Sequence, residues 1–127
     1  MIPLIGHIEA GFYRVRLIRG GLWVGVEFWH GPPRLDDGEE QDRSPRWCVS
    51  VDGRTTRPVV DEEGNRTGQR EYLDPDETWP YACGNPISRH EFDFLARRRQ
   101  WALEHDPAHP AAQPHRPIDV RTLKPGW

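Results

Sequence analysis

The sequence predicts an α+β fold: a small antiparallel β-sheet or open barrel of about four or five strands, covered by one C-terminal helix and an extended Pro-rich tail. Three observations predict it. Alternating apolar segments are punctuated by Gly-Gly and Asp-Gly, a capping box opens a single helical stripe, and 13 Pro with 12 Gly among 127 residues exclude an all-helical bundle. At 35% hydrophobic residues the chain suits one domain, taken as 1–106, with 107–127 as a tail packed on it.

The first hairpin spans about 12–29. From Gly11 to Ile18 the residues Tyr13, Val15 and Leu17 alternate with Arg14 and Arg16, the period of a half-buried strand. Arg19-Gly20-Gly21 supplies the positive φ angles of a turn, and Leu22 to Trp29 returns with Val24, Val26 and Phe28 on one face. Trp23, Gly25, Glu27 and Trp29 fall on the other face. His30 to Ser44 has no period and reads as an exposed loop.

A second hairpin is expected over 47–60. Trp47 to Val51 alternates, Asp52-Gly53 is a strong two-residue turn signal, and Thr55 to Val60 returns, with Pro58 confining that strand to an edge. A third turn at Glu63-Gly64-Asn65 leads to a short strand over Gln69 to Leu73.

The helix is predicted over 88–105. Ser88 stands three residues before Glu91 as a capping box, with Ile87 and Phe92 at the two positions of a hydrophobic staple. Phe92, Leu95, Ala96, Arg99, Ala102 and Leu103 share one arc; Phe94, Arg98 and Trp101 form the stripe beside it. Pro107 ends the helix by Asp106. Five prolines after it read as an extended tail anchored by Ile118, Val120 and Leu123.

The formal charge of −3 conceals a division: residues 36–77 are net −7, and each flank is net +2. An overall basic footprint, the usual mark of a duplex-binding domain, is therefore missing. No stretch approaches the ~20 apolar residues of a membrane helix, and the N-terminus lacks the pattern of a secretion signal, so a cytoplasmic protein of a bacterial host is expected. Cys48 and Cys83 form no C-x-x-C pair, which argues against a zinc knuckle or a disulfide scaffold.

Catalytic and metal motifs fail on spacing. His7-Ile8-Glu9 lacks the P-C-x-x-C partner of the zinc deaminases. Pro107 and Pro110 break the helical spacing of His105, His109 and His115, and neither acidic run has an EF-hand register. No catalytic residue, metal site or cofactor is expected. Cys83, five residues before the helix N-cap and near His90, is the one nucleophile to weigh, and a small buried residue is preferred. Two binding surfaces are weighed. The acidic side chains Asp36, Asp37, Glu39, Glu40, Asp61, Glu62 and Glu63 suit a protein partner. Alternatively, Arg14, Arg16, Trp23 and Trp29 on the hairpin, with Arg97, Arg98 and Arg99 on the helix, suit stacked bases and phosphate.

The segments Gly11-Phe12-Tyr13-Arg14 to Gly20-Gly21, Gly31-Pro32-Pro33, Asp42-Arg43-Ser44-Pro45-Arg46-Trp47, Trp79-Pro80 and Gly84-Asn85-Pro86-Ile87-Ser88 resemble an uncharacterised family of small phage and prophage proteins of GC-rich bacteria. The resemblance covers most of the chain and carries over no catalytic or binding residues. It implies an accessory protein that binds a host or phage macromolecule, such as an anti-CRISPR-like inhibitor of a host defence nucleoprotein complex. The expected reading is thus a non-enzymatic binding protein whose partner is a host or phage protein or nucleoprotein complex. Direct nucleic-acid binding ranks second, an enzyme using Cys83 third, and no membrane partner is expected.

Overall fold

The structure, a computed structural model, describes residues 7–34 and 44–116. Strands β1 (Gly11–Arg16), β2 (Trp23–Gly31) and β3 (Arg46–Val51) form an antiparallel sheet in that order. Tyr13 lies opposite Val26, Val15 opposite Val24 and Phe28 opposite Val49, so the predicted alternation gathers aliphatic and aromatic side chains on one face. β1 stops at Arg16, two residues before its alternation does, because the Gly21 N–H donates to the Ile18 carbonyl at 2.9 Å and draws the chain into a wider turn. Gly20 takes the positive φ of that turn, 77°; Gly21 serves close approach, since a Cβ there would lie 2.9 Å from the Ile18 side chain.

Asp52 (φ 52°) and Gly53 (φ 78°) make the left-handed turn that their sequence predicts, and Val51 and Arg54 exchange backbone hydrogen bonds of 2.9 and 3.0 Å. The hairpin expected over 47–60 goes no further than this bridge. β4 (Thr56–Val60) pairs instead with β5 (Arg66–Tyr72), so the single sheet or open barrel is replaced by two small antiparallel sheets, neither of them closed. Two local features explain the departure. Pro58 has no N–H to give to β3, and Thr55 is buried with its carbonyl accepting from the Leu73 N–H at 2.9 Å, which turns the chain toward β5.

A helix that the sequence reading omitted follows: α1 (Pro75–Ala82). Its start signals are clear in retrospect. Asp74 is the N-cap, its carboxylate accepting from the Asp76 N–H at 2.9 Å, Pro75 is the first helical residue, and Asp76 and Glu77 sit in the first turn. Pro80 hides the helix, because proline inside a helix removes a hydrogen bond and crowds the preceding turn. Burial compensates: Trp79 and Ala82 are 1% and 0% exposed, packed with Cys83 against Tyr13, Val15, Val24, Val26, Phe28 and Val49. Tyr13, Phe28 and Trp79 meet edge to face, with centroids 5.2–5.5 Å apart.

Helix α2 (Arg89–His105) begins as predicted, with the Ser88 hydroxyl accepting from the Glu91 N–H at 3.1 Å, and ends at the Asp106 cap. It covers the opposite face of the three-stranded sheet. There the Phe92 ring packs on Phe12, centroids 4.8 Å apart, and occupies the space a side chain on Gly25 would need, 2.9 Å from its Cβ position. The two helices thus enclose the sheet. Leu103, placed by periodicity on the apolar arc, is instead 52% exposed, while Ala102 is fully buried with Leu22 and Ala111. Ala111 belongs to a 3₁₀ turn, Pro110–Ala112, which begins the tail; Ile118, Val120 and Leu123 lie outside the described residues. Among the described residues no helix is long and apolar enough to cross a membrane.

Replacing Trp79 by Ala is expected to destabilise the domain by about 3–5 kcal/mol, against less than about 0.5 kcal/mol for Tyr81→Ala, whose ring is 75% exposed. Urea unfolding midpoints check this, and equal midpoints would deny α1 its place in the core. In the same assay Ser88→Ala is expected to lose about 1 kcal/mol, the value of an N-cap; unchanged stability would remove the cap from the account.

Candidate functional site

The hairpin aromatics are already in use. On the α2 side of the sheet, the guanidinium carbons of Arg14 and Arg16 lie 4.5 and 4.4 Å from the centroid of Trp23. Arg34 lies 4.0 Å from the centroid of Trp29 while forking onto Glu27 at 2.7 and 3.2 Å, and the Trp29 indole N–H donates to the Pro32 carbonyl. The Glu27 carboxylate raises the pKa of Arg34 further. Trp23 and Trp29 share a face, as alternation predicts, but Phe92 sits over Gly25 between them. They are two capped indoles, not one platform.

The run Arg97-Arg98-Arg99 also divides, since successive helical positions point about 100° apart. Arg97 is exposed. Arg98 turns in, one terminal nitrogen donating to the Trp23 carbonyl at 3.0 Å; its Nε is buried without a partner among the described residues, and burial lowers its pKa despite the pull of Asp52. Arg99 pairs with Asp52 at 3.2 Å. Its guanidinium lies against Gly53, where an added Cβ would come within 2.6 Å.

Of the acidic residues, Asp36, Asp37, Glu39 and Glu40 lie outside the described residues. Asp61 shapes the β4–β5 turn: one carboxylate oxygen accepts from the N–H groups of Glu63 and Asn65, at 3.0 and 2.9 Å, and Glu62 and Glu63 are exposed beside it. Cys83 is 6% exposed, with its Sγ 3.8 Å from the Pro80 carbonyl. It caps the C-terminus of α1, the negative end of that dipole, a position invisible while α1 was unrecognised. Burial pushes the Cys48 thiol pKa up, against the pull of Arg46. His105 and His109 both lie against the Trp101 ring, and the described residues bring no three His, Cys, Asp or Glu side chains together as a metal site.

Among the concave sites of the described residues is one that sequence reasoning did not assemble. Where the second sheet, the Asp52-Gly53 turn, α2 and the 3₁₀ turn meet, they enclose an open cleft of about 490 Å³. Arg54, Arg57, Arg70 and Arg99 line it, against one carboxylate, Asp52; Leu17, Leu73, Leu103, Ala111 and Pro114 supply apolar wall. The arginines differ in freedom. Arg57 bridges Glu71 and Glu77 at 2.8 and 3.0 Å, and Arg70 gives Nε and Nη2 to Thr56 at 2.9 and 3.2 Å. The Arg54 guanidinium donates no hydrogen bond to any described residue. These four positions lie on the Asp52-Gly53 turn, β4, β5 and α2, so no local motif announces them, and only Arg99 was singled out from sequence. Chemically the cleft offers planar donors beside aliphatic surface, a setting for binding anionic groups.

Burial raises the pKa of Asp52 above its ordinary value, outweighing Arg99. Its stabilising contribution is therefore complete below the ordinary carboxylate range and lost as pH rises through the folded-state pKa. Asp52→Asn removes the titration. Wild type is expected to lose urea stability relative to Asp52→Asn on going from about pH 4 to pH 7, and a gain would show that Arg99 outweighs burial.

No protein-family model, curated protein or solved structure matches the chain.

Proposed function

We propose that this is a non-enzymatic accessory protein of the phage or prophage kind, acting by binding a host or phage protein or a protein surface of a nucleoprotein complex. Inhibition of a host defence complex is the specific form of this reading that the segment resemblance favours. The observation that carries protein binding is a contrast between two aromatic sets. The indoles of Trp23 and Trp29, which base stacking would need, are covered by Arg14, Arg16 and Arg34. Phe94 and Trp101, seven residues apart on the outer side of α2, are 52% and 51% exposed, with Arg98 standing off at 5.8 Å from the Phe94 centroid and His105 and His109 at 5.8 and 5.9 Å from that of Trp101. Two large rings and neighbouring arginines on one helix have the composition of a protein-binding hot spot. The net charge of −3 also disfavours a long-range approach to phosphate.

Capture from host extract is expected to retain a partner that Trp101→Ala loses while keeping its circular dichroism. Labelled single- and double-stranded DNA and RNA are expected to bind no tighter than ~100 μM at physiological salt, the weak end of non-specific association. Micromolar oligonucleotide binding lost on replacing Arg97, Arg98 and Arg99, or Trp23 and Trp29, would replace this reading with a nucleic-acid module.

A further inference from the structure

We infer that the arginine-lined cleft is a binding site for an acidic polypeptide segment that presents an aliphatic side chain beside its carboxylates. The inference rests on the reading that the partner is a protein, but it concerns a surface separate from the Phe94–Trp101 stripe: neither ring lines the cleft.

The charge of the lining selects the ligand. Four arginines line the cleft with one carboxylate, Asp52, which Arg99 engages at 3.2 Å; Glu71 and Glu77, outside the lining, already hold Arg57, so Arg54, Arg70 and Arg99 carry the attraction. Each guanidinium carries five N–H donors in a planar fork, so one bond from Arg99 to Asp52 and two from Arg70 to Thr56 leave donors in hand. Arg54, on the Asp52-Gly53 turn, gives no side-chain hydrogen bond to a described residue, and its charge is felt by Asp52 without a close ion pair. A bidentate carboxylate is the acceptor whose geometry matches such a fork.

The walls then separate the possible sources of that anion. Leu17 and Leu103 are 45% and 52% exposed at the cleft, with Leu73, Ala111 and Pro114 below them. Inorganic phosphate has no use for this surface. A nucleotide uses flat π-surface for its base, and the cleft offers only the small imidazole of His115, with no Phe, Tyr or Trp in its lining. A Leu or Val next to Asp or Glu on an extended peptide meets both requirements, and about 490 Å³ lies within the range of ligand clefts. The acidic charge of the chain as a whole keeps the attraction local to the cleft.

The test uses the full chain and a fluorescein-labelled peptide of alternating Glu and Leu, with a Gln–Leu peptide, inorganic phosphate and an oligothymidylate as comparisons. Anisotropy is expected to show saturable binding of the Glu–Leu peptide, with Gln–Leu binding weaker by at least ~10-fold. Arg54→Glu is expected to weaken the Glu–Leu peptide by a similar factor, and Leu103→Ser to weaken it as well; both positions are exposed, and retained unfolding midpoints separate lost binding from lost fold. Equal binding of the two peptides, or indifference to Arg54→Glu, overturns the inference. Tighter binding of phosphate or oligothymidylate, lost in Arg54→Glu, overturns it in favour of a phosphate site. The protein-binding reading fails separately, through capture that does not depend on Trp101.

Discussion

Trp79 stands edge-on to both Tyr13 and Phe28, and those two rings stand edge-on to each other, at centroid distances of 5.2–5.5 Å. The rest of the architecture follows from where this group must go. A three-stranded sheet from a chain with 35% hydrophobic residues has little aliphatic surface to offer, and most of it lies on the face bearing Val15, Val24, Val26 and Val49. A large ring set against that face excludes more water than several small side chains. The two-turn helix carrying Trp79 therefore fills the position that the sequence reading left uncovered, and the longer helix is left with the other face.

That other face mixes the rings of Phe12, Trp23 and Trp29 with Arg14, Arg16 and Glu27, and α2 adapts to it with guanidinium groups. Arg98 reaches the Trp23 carbonyl and Arg99 reaches Asp52, while Phe92 takes the gap left by Gly25. Arg14 and Arg16 close over Trp23 in the same manner. Arginine suits this work because its planar head stacks on rings and sheds water more easily than an ammonium, and its stem adds apolar contact. Much of what looked in sequence like a nucleic-acid surface is thus the packing layer between a helix and a sheet.

Legibility in the sequence follows the range of the interactions. The first hairpin, the Asp52-Gly53 turn, the β4–β5 turn and the Ser88 cap were readable because each depends on neighbours a few residues apart; the first hairpin has a wider turn than expected, and β5 begins at Arg66, three residues before the strand expected over Gln69 to Leu73. Helix α1 was not, because the local rule against Pro80 is overridden by the burial of Trp79 on strands some fifty residues earlier. The departure of β4 from β3 was half readable: Pro58 argued for an edge, while the bond from Leu73 to Thr55 is a tertiary fact. The cleft was not readable at all, since its arginines come from three separate stretches of chain, around 54–57, 70 and 99.

What distinguishes a functional arginine here is therefore its bonding and not its place in a run. Arg97, Arg98 and Arg99 are consecutive, yet one is exposed, one is turned into the sheet and one is held by Asp52. Arg54 has no basic neighbour within two residues, but it alone among the four cleft arginines makes no side-chain hydrogen bond or close ion pair among the described residues, its charge acting on Asp52 from a distance, and it lines a site with apolar walls. A guanidinium engaged with its own chain must break those bonds before it serves a ligand, which subtracts from affinity. One held on a tight turn without a hydrogen bond to a described residue has less to exchange. The rigid Asp52-Gly53 turn, with both φ angles positive and its base closed by the Val51–Arg54 bridge, thereby does two jobs: it ends the first sheet and presents Arg54 to the cleft.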